Sequence, residues 1–250
     1  MSNLSEKAEP TRKRVVSRDE WLKARKALLA EEKALTRARD RLSAARRELP
    51  WVKLEKSYVF EGPAGSVTFA DLFDGRSQLI VQHFMLTPGS DHICPGCSFG
   101  ADHVDAARMH FENADLSFVA ISRAPLSQIA PVKKRMGWKF NWISSHGNSF
   151  NYDFGVSFTP EQVASGDVGY NFGTTPYVAE ELHGMSVFAK DEAGDIFHTY
   201  STYARGTEMT VAAFAFLDMA PKGRNEDGVM NWVKLHDEYE RKGQEGSCCR

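Results

Sequence analysis

Two nearly continuous apolar runs, "QLIVQHFML" at residues 78–86 and "LSFVAIS" at residues 116–122, constrain the fold more than any other feature of the sequence. Runs of this length and composition are typical of strands that are buried on both faces of a sheet. The segment between them has a helical pattern from Ser98 to about Ala114. A strand–helix–strand unit of this size places its strands parallel, with a right-handed crossover. The sequence therefore predicts an α/β fold.

Other segments add predicted elements on both sides of this unit. Five patterns are readable: a hairpin and helical turn at 55–73, a helix at 125–137 that bends or restarts at Pro131, an antiparallel hairpin at 185–203, an apolar helix at 208–218 and a final helix at 229–242. The stretch 138–177 has no assignable pattern, and we treat about 138–182 as an aromatic-rich insertion before the C-terminal β-hairpin, because insertions of this length are usually functional or carry structure of their own. Trp138 and Trp142 within it are predicted core residues, with the wall of a substrate groove as the alternative.

The N-terminal part is predicted to be a separate helical arm. Residues 1–16 are expected to be disordered, and "SRDE" at 17–20 matches a capping box, which starts a helix that Pro50 ends. Four apolar residues recur every seven positions along this arm at 17–50: Trp21, Leu28, Leu35 and Leu42. A single stripe serves one partner surface. We favour packing on the main domain at 51–242, and a homodimer formed through this helix is the alternative.

Composition narrows the functional classes. The 250-residue chain has a net charge of −2, which gives no general attraction to nucleic acid or to a membrane surface. No secretory leader and no run of 18 apolar residues is evident, and the chain has only four cysteines. We therefore expect a cytoplasmic protein, and in that compartment a CxxC motif is more often catalytic or metal-binding than structural.

The motif "CPGC" joins Cys94 and Cys97 at the predicted start of a helix. A helix N-terminus offers unpaired backbone N–H groups and a positive dipole end, and both stabilise a thiolate. Cys94 is the more exposed member, so we predict that it is the nucleophile and that Cys97 resolves the mixed disulfide. Pro95 costs no hydrogen bond at an early helical position. Pro95 and Gly96 are therefore predicted to support the site.

A metal site is the alternative interpretation of the same stretch. His92 and His103 flank the cysteines, and two thiolates with imidazoles would suit Zn or Cu. His103 lies nearly two helical turns from the cysteines, so both histidines are predicted to be surface residues, although His92 could tune the thiolate or join Cys94 and Cys97 around a metal. An inert buried cysteine pair is the third possibility.

The order of strand, CxxC at a helix start, strand, helix, insertion, hairpin and helix resembles the thioredoxin superfamily, and "CPGC" resembles its redox motif. Four further blocks, "VAISRAPLSQIAPVKKRMGW", "NYDFGVSF", "FHTYSTYARG" and "MAPKGRNE", are similar to those of a bacterial family catalogued as domain of unknown function 899. The resemblance covers roughly residues 17–239. It implies a thioredoxin-like three-layer fold and a dithiol–disulfide oxidoreductase.

The resemblance implies that Cys94 and Cys97 cycle between dithiol and disulfide, acting on a protein or small-molecule thiol or disulfide with an external thiol reductant. No Gly-rich nucleotide motif is evident, so no cofactor is predicted. Arg123 follows the second buried strand and is expected on the same edge of the sheet as the motif. There it would stabilise the Cys94 thiolate or an anionic substrate, and a surface salt bridge is the alternative.

Two features depart from related patterns. The position of the thioredoxin cis-proline reads His183–Gly184–Met185, which puts thioredoxin-like substrate docking in question. The peroxiredoxin pattern PxxxTxxC is absent, which makes a thiol peroxidase using Cys94 the less favoured enzyme. Cys248 and Cys249 lie in a predicted flexible tail at 243–250 and are expected to be incidental thiols rather than an electron shuttle.

Overall fold

The structure is a computed structural model that describes residues 14–239. The predicted disorder of residues 1–13 and the predicted flexible tail with Cys248 and Cys249 lie outside the described residues. Residues 14–16 have no regular secondary structure. The chain divides into two compact units, Met1–Leu49 and Pro50–Arg250.

The first unit contains helix α1, Arg18–Arg47. The predicted capping box is confirmed: the Ser17 hydroxyl accepts the Glu20 N–H at 3.2 Å, and the Glu20 carboxylate accepts the Ser17 N–H at 3.2 Å. No residue of α1 is buried, and the four members of the heptad stripe are exposed. The partner of this stripe stays a prediction.

The second unit contains an eight-stranded sheet among the described residues. Its strands in chain order are β1 Val52–Lys53, β2 Val59–Gly62, β3 Gly65–Thr68, β4 Gln78–His83, β5 Leu116–Ser122, β6 Asn141–Ser144, β7 Gly184–Lys190 and β8 Ile196–Tyr203. Their order across the sheet is β1-β8-β7-β4-β5-β6-β2-β3. Strands β4, β5 and β6 are parallel, and the other neighbours are antiparallel.

Short helices lie between these strands along the chain or follow the last of them. They are α2 Pro95–Ala101, α3 Val104–Asn113, α4 Leu126–Met136, α5 Phe150–Asp153, α6 Pro160–Ser165, α7 Tyr170–Gly173 and α8 Ala212–Met219, with 3₁₀ turns at Ala70–Phe73, Ala204–Thr210 and His236–Glu238. One core cluster includes Phe84, Cys97 and Trp142, and a second includes Leu79, Val81 and Phe150. The central strand β4 contributes to the second cluster and leads into the CxxC segment.

The central part of the sheet is thioredoxin-like, as predicted. Strand β4 leads to the CxxC segment and α2, the chain returns in β5 parallel to β4, and the hairpin β7–β8 adds antiparallel to the other side of β4. The order β5-β4-β7-β8, with the cysteines following β4, is the arrangement that the sequence resemblance implies.

The single helix predicted after the cysteines is wrong, because the structure has two, α2 and α3. The chain breaks at Asp102 and His103, where both side chains make tertiary hydrogen bonds. The Asp102 carboxylate accepts from Trp138 Nε1 at 2.7 Å. His103 donates from Nδ1 to the Phe99 carbonyl at 2.7 Å and accepts the Ala213 N–H on Nε2 at 3.1 Å. His103 is thus half-buried rather than the surface residue that the sequence predicted.

The predicted helix at 229–242 is also wrong within the described residues. Val233 and Leu235 are buried while Lys234 between them is exposed, and this period of two is that of an extended chain. Met230 adopts a left-handed backbone with φ 59°, which also ends any helix there. Residues 240–242 lie outside the described part.

The insertion contains a strand that the sequence pattern did not reveal. Strand β6 pairs parallel with β5 from Asn141 to Ser144 and extends the sheet. Trp138 and Trp142 are 6% and 1% exposed, which confirms their core assignment. The indole N–H of Trp142 donates to the Ser122 hydroxyl at 2.9 Å, so this aromatic residue also satisfies its polar group.

Candidate active site

The CxxC motif lies at the start of α2, as the sequence predicts. Cys94 is the N-cap residue and Pro95 is in the first turn. The Cys97 backbone N–H donates to Cys94 Sγ at 3.2 Å. Sulfur thus takes the place that a serine or aspartate oxygen takes at other helix starts, which favours a negative charge on it.

The two thiols lie in different environments. Cys94 is half-buried, whereas Cys97 is 4% exposed. A hydrogen bond from the Cys97 side chain, with further bonds from the backbone N–H groups of Cys97 and Gly96, lowers the pKa of Cys94 below its ordinary value, against the effect of burial. Burial raises the pKa of Cys97 well above its ordinary value, and the neighbouring Cys94 adds to that effect. The arrangement can therefore present one thiolate and hold one thiol in reserve.

Contacts from β4 and the following loop hold Cys97 in place. The buried Gln82 donates from Nε2 to the Cys97 carbonyl at 3.0 Å. The Met85 N–H points at Cys97 Sγ from 3.5 Å. Sequence reasoning missed Gln82, although an amide in the middle of the apolar run 78–86 is the signal that could have found it.

Met230, from the C-terminal part of the chain, packs next to Gly96 of the motif. A Cβ atom placed on Gly96 would lie 3.2 Å from Met230 Cε and 4.0 Å from Cys94 Sγ. The thioether and the Cys94 thiol therefore face the same small space. A side chain at position 96 would crowd Met230, which gives Gly96 a steric role. No sequence pattern pointed to Met230.

A cleft of about 300 Å³ opens beside the motif. Gly96 and Cys97 form part of its wall. The remaining lining is mainly apolar and includes Met85, Leu182, Val211, Phe214 and Met230, with Arg205 and Glu208 also present. Apolar clefts with a few polar groups are typical sites for small ligands or side chains.

The expected contact between Arg123 and Cys94 is not what the structure shows. The Arg123 guanidinium donates to the carboxylates of Glu180 and Glu181 and to the Tyr152 hydroxyl. Glu181 is 5% exposed, and burial raises its pKa although Arg123 opposes that effect. Two nearby carboxylates attract the guanidinium away from the CxxC motif, so Arg123 holds the segment before β7 instead.

Among the residues that the structure describes, His92 does not belong to a group of side chains that could bind a metal ion. Its side chain is exposed, just before Cys94. Across residues 14–239, no group of three or more His, Cys, Asp or Glu side chains has a geometry that could hold a metal ion.

The segment that corresponds to the thioredoxin cis-proline differs from the thioredoxin pattern in the structure as well as in the sequence. Gly184 begins β7, and a Cβ there would lie 2.5 Å from a ring carbon of Tyr203, so this position requires glycine. His183 is held by its Nε2, which donates to the Ala204 carbonyl at 3.1 Å, and by the Tyr170 hydroxyl, which donates to its carbonyl at 2.6 Å. Between residues 14 and 239 no peptide bond is cis.

Residues 10–239 of this chain match the family described as "Bacterial protein of unknown function (DUF899)". The chain belongs to the DUF899 family. No curated protein matches its sequence. The family resemblance read from the sequence blocks is thereby confirmed, and the CPGC motif of this DUF899 protein lies within the matched region.

Several solved structures resemble the DUF899 chain distantly. Peroxidoxin BcpB from Mycobacterium tuberculosis is 15% identical, with a TM-score of 0.42, covering 66% of this chain and 97% of its own. The mitochondrial 2-Cys peroxiredoxin from Plasmodium falciparum is 12% identical, with a TM-score of 0.39, covering 68% of this chain and 94% of its own. A thiol:disulfide interchange protein from Bacteroides sp. is 12% identical, with a TM-score of 0.38, covering 70% and 95%. In the described part of the chain, no helix has the length and apolar character needed to cross a membrane.

Proposed function

We propose that this DUF899 protein is a thiol–disulfide oxidoreductase that cycles Cys94 and Cys97 between dithiol and disulfide. The observation that carries the proposal is the asymmetry of the pair. Cys94 is a half-buried helix N-cap whose sulfur accepts the Cys97 N–H at 3.2 Å, and its pKa is lowered, whereas the pKa of the buried Cys97 is raised. One sulfur is suited to attack and the other to resolution.

The exchange begins when the Cys94 thiolate attacks one sulfur of a substrate disulfide. A mixed disulfide forms, and the other substrate sulfur leaves as a thiolate. Cys97 then gives its proton to a departing thiolate and attacks Cys94 Sγ, which forms the Cys94–Cys97 disulfide and releases the second substrate thiol. The two electrons pass from the cysteine pair to the substrate. An external thiol reductant restores the dithiol by the reverse sequence.

The proposed location, substrate class and lack of a cofactor follow from thiol–disulfide exchange. A cytoplasmic location would keep the pair supplied with thiol reductant. The protein would act on a protein or small-molecule disulfide and would need no bound cofactor, because both redox equivalents reside on sulfur. A thiol peroxidase using Cys94 and a metal carrier using Cys94, Cys97 and His92 are the rival functions.

Turnover of a small disulfide tests the proposal. The probe is bis(2-hydroxyethyl) disulfide with a thiol reductant, and all proteins carry Cys248→Ser and Cys249→Ser so that only the motif reacts. The parent protein is expected to turn over, Cys97→Ser to accumulate a mixed disulfide at Cys94, and Cys94→Ser to form none. Hydrogen peroxide consumption without disulfide turnover would assign the peroxidase instead. Equal turnover by the parent and both variants would refute the proposed cycle.

A further inference from the structure

Residues 226–233, which we call the strap, pass over the CxxC motif. Met230 in the strap has a left-handed backbone, with φ 59°. Residues other than glycine avoid this region, so the surrounding structure must hold Met230 there. The Glu226 carboxylate does so by accepting the Met230 N–H at 3.1 Å and the Trp232 indole N–H at 3.3 Å through the same oxygen.

Apolar packing fixes the other side of the strap. Val233 is buried in a cluster with Phe99, Val211 and Phe214, and Met230 and Trp232 pack against this cluster. The Trp232 ring meets Phe99 edge-on with 5.6 Å between ring centroids. Phe99 belongs to α2, the same helix that begins at the motif. The strap is thus anchored directly to the helix that carries both cysteines.

The fixed backbone places the Met230 side chain next to Gly96, between the two cysteines of the motif in sequence. Its Cε and Cys94 Sγ lie 3.2 Å and 4.0 Å from the position that a Cβ on Gly96 would take. Met230 and Val229 also line the cleft that reaches Cys97. Cys94 does not line the cleft itself, so a group that passes from the cleft over Gly96 to Cys94 meets the Met230 thioether. A bulky group would have to displace the thioether, whereas a slim one would not.

We infer that Met230 is a specificity-determining residue that restricts exchange at Cys94 to slim, low-molecular-weight thiols and disulfides. This inference rests on the proposed function of the cysteine pair. Methionine suits the role because its unbranched side chain fills irregular space and yields only at a cost in packing. Glu226 is a positioning residue, because it acts through the backbone of Met230.

Two maleimides of unequal bulk test the inference without requiring turnover. The reduced full-length protein, with Cys248→Ser and Cys249→Ser, reacts with N-ethylmaleimide or N-(1-pyrenyl)maleimide, and labelling of Cys94 is followed by mass spectrometry. The ratio of the two rates cancels changes in the thiolate fraction. Met230→Ala is expected to raise the pyrenyl rate relative to the ethyl rate about tenfold, equivalent to about 1.4 kcal/mol of activation free energy.

Matched variants complete the experiment. Met230→Leu keeps the bulk and is expected to keep the parent ratio, and Asn231→Ala, at an exposed strap position that does not line the cleft, should do the same. Glu226→Ala, which frees the strap, is expected to shift the ratio in the direction of Met230→Ala. An unchanged ratio in Met230→Ala, or the same ratio change in Met230→Leu, would overturn the steric role. If the ratio changes as expected but bis(2-hydroxyethyl) disulfide is not reduced, Met230 still restricts access and the proposed oxidoreductase fails.

Discussion

The Cys94 sulfur and the Cys97 backbone nitrogen lie 3.2 Å apart, in the geometry of a helix N-cap hydrogen bond. This contact connects the local fold to the proposed chemistry, because the helix start that α2 needs is also the group that stabilises a thiolate. The partner thiol, that of Cys97, is buried three residues further along the chain, and the Gln82 amide holds this segment by donating to the Cys97 carbonyl.

Alkylation of Cys94 by iodoacetamide should follow an apparent pKa below the ordinary cysteine value of about 8.5. The rate follows the thiolate fraction, so its half-maximal point should lie at a lower pH than for an ordinary cysteine. The Cys97 side chain is the largest cause of the lowered pKa, so Cys97→Ala should raise it and Cys97→Ser, which keeps a donor, should raise it less. Stopped-time alkylation across pH measures all three, with Cys248→Ser and Cys249→Ser throughout. An unchanged pKa in Cys97→Ala would contradict this account.

Arg123→Ala should destabilise the fold without affecting the reactive thiol. The substitution leaves the carboxylate of Glu181, which is 5% exposed, without its guanidinium partner, and breaking such a pair costs about 3–5 kcal/mol. Urea unfolding measures the loss. Adding Glu181→Gln should recover part of it, because the neutral amide is cheaper to bury. The apparent pKa of Cys94 should stay at the parent value, and a shift in that pKa would restore the thiolate role that the sequence suggested.

His83 should make the fold less stable in acid. Burial, with a smaller effect of His198, lowers the pKa of His83 to about 3, and its Nε2 is hydrogen-bonded with the Ser186 hydroxyl at 2.8 Å. The unfolded chain binds a proton at this residue below about pH 6.5 and the folded chain does not. The stability contributed by neutral His83 is therefore fully present above about pH 6.5. It is lost as the pH falls toward about 3, by up to about 1.4 kcal/mol per pH unit.

The test for His83 is the pH slope rather than the absolute stability. Urea unfolding is measured from about pH 7.5 to about pH 5 for the parent protein and for His83→Gln, which keeps a polar side chain of similar size. The variant should lose less stability over this range. Parallel slopes in the two proteins would show that His83 is not the group that takes up the proton.

Truncation after Gly246 should leave disulfide turnover within about twofold of the parent rate. The deletion removes Cys248 and Cys249, whereas both sulfurs that the cycle needs are in the motif. Steady-state rates with bis(2-hydroxyethyl) disulfide measure the effect, and Cys248→Ser with Cys249→Ser in the full chain is the control for the loss of thiols alone. A large loss of rate in both proteins would instead assign these cysteines an electron-transfer role.

The thioredoxin-like part of the fold could be predicted because its signals are local. The apolar run 116–122 is strand β5 residue for residue, and the capping box at Ser17 starts α1 as expected. Gly194, with φ 88°, lies in the turn of the antiparallel hairpin that the sequence predicts at 185–203. In these segments the local preference and the tertiary structure agree, so periodicity and capping chemistry were sufficient.

The wrong predictions share a different physical cause. The break between α2 and α3 depends on Asp102 reaching Trp138, and the extended run at 233–235 depends on burial of alternate residues. Arg123 lies at the expected end of β5 but pairs with Glu180 and Glu181, which are more than fifty residues away in the sequence. Strand β6 has only four residues, and it is identified as a strand by its pairing with β5. Partners that are distant in sequence determine all four features, so no local pattern could reveal them.

A redox titration of the Cys94–Cys97 pair against glutathione, with bound metal assayed on the same sample, distinguishes thiol–disulfide exchange from metal binding. If the pair is a redox dithiol, the protein should be metal-free and should show a reversible two-electron transition with a midpoint between about −120 and −270 mV, the range of known exchange catalysts. Cys94→Ser should abolish the transition. Stoichiometric zinc or copper that blocks the titration would contradict the oxidoreductase function and would mean that the motif is a metal-binding site.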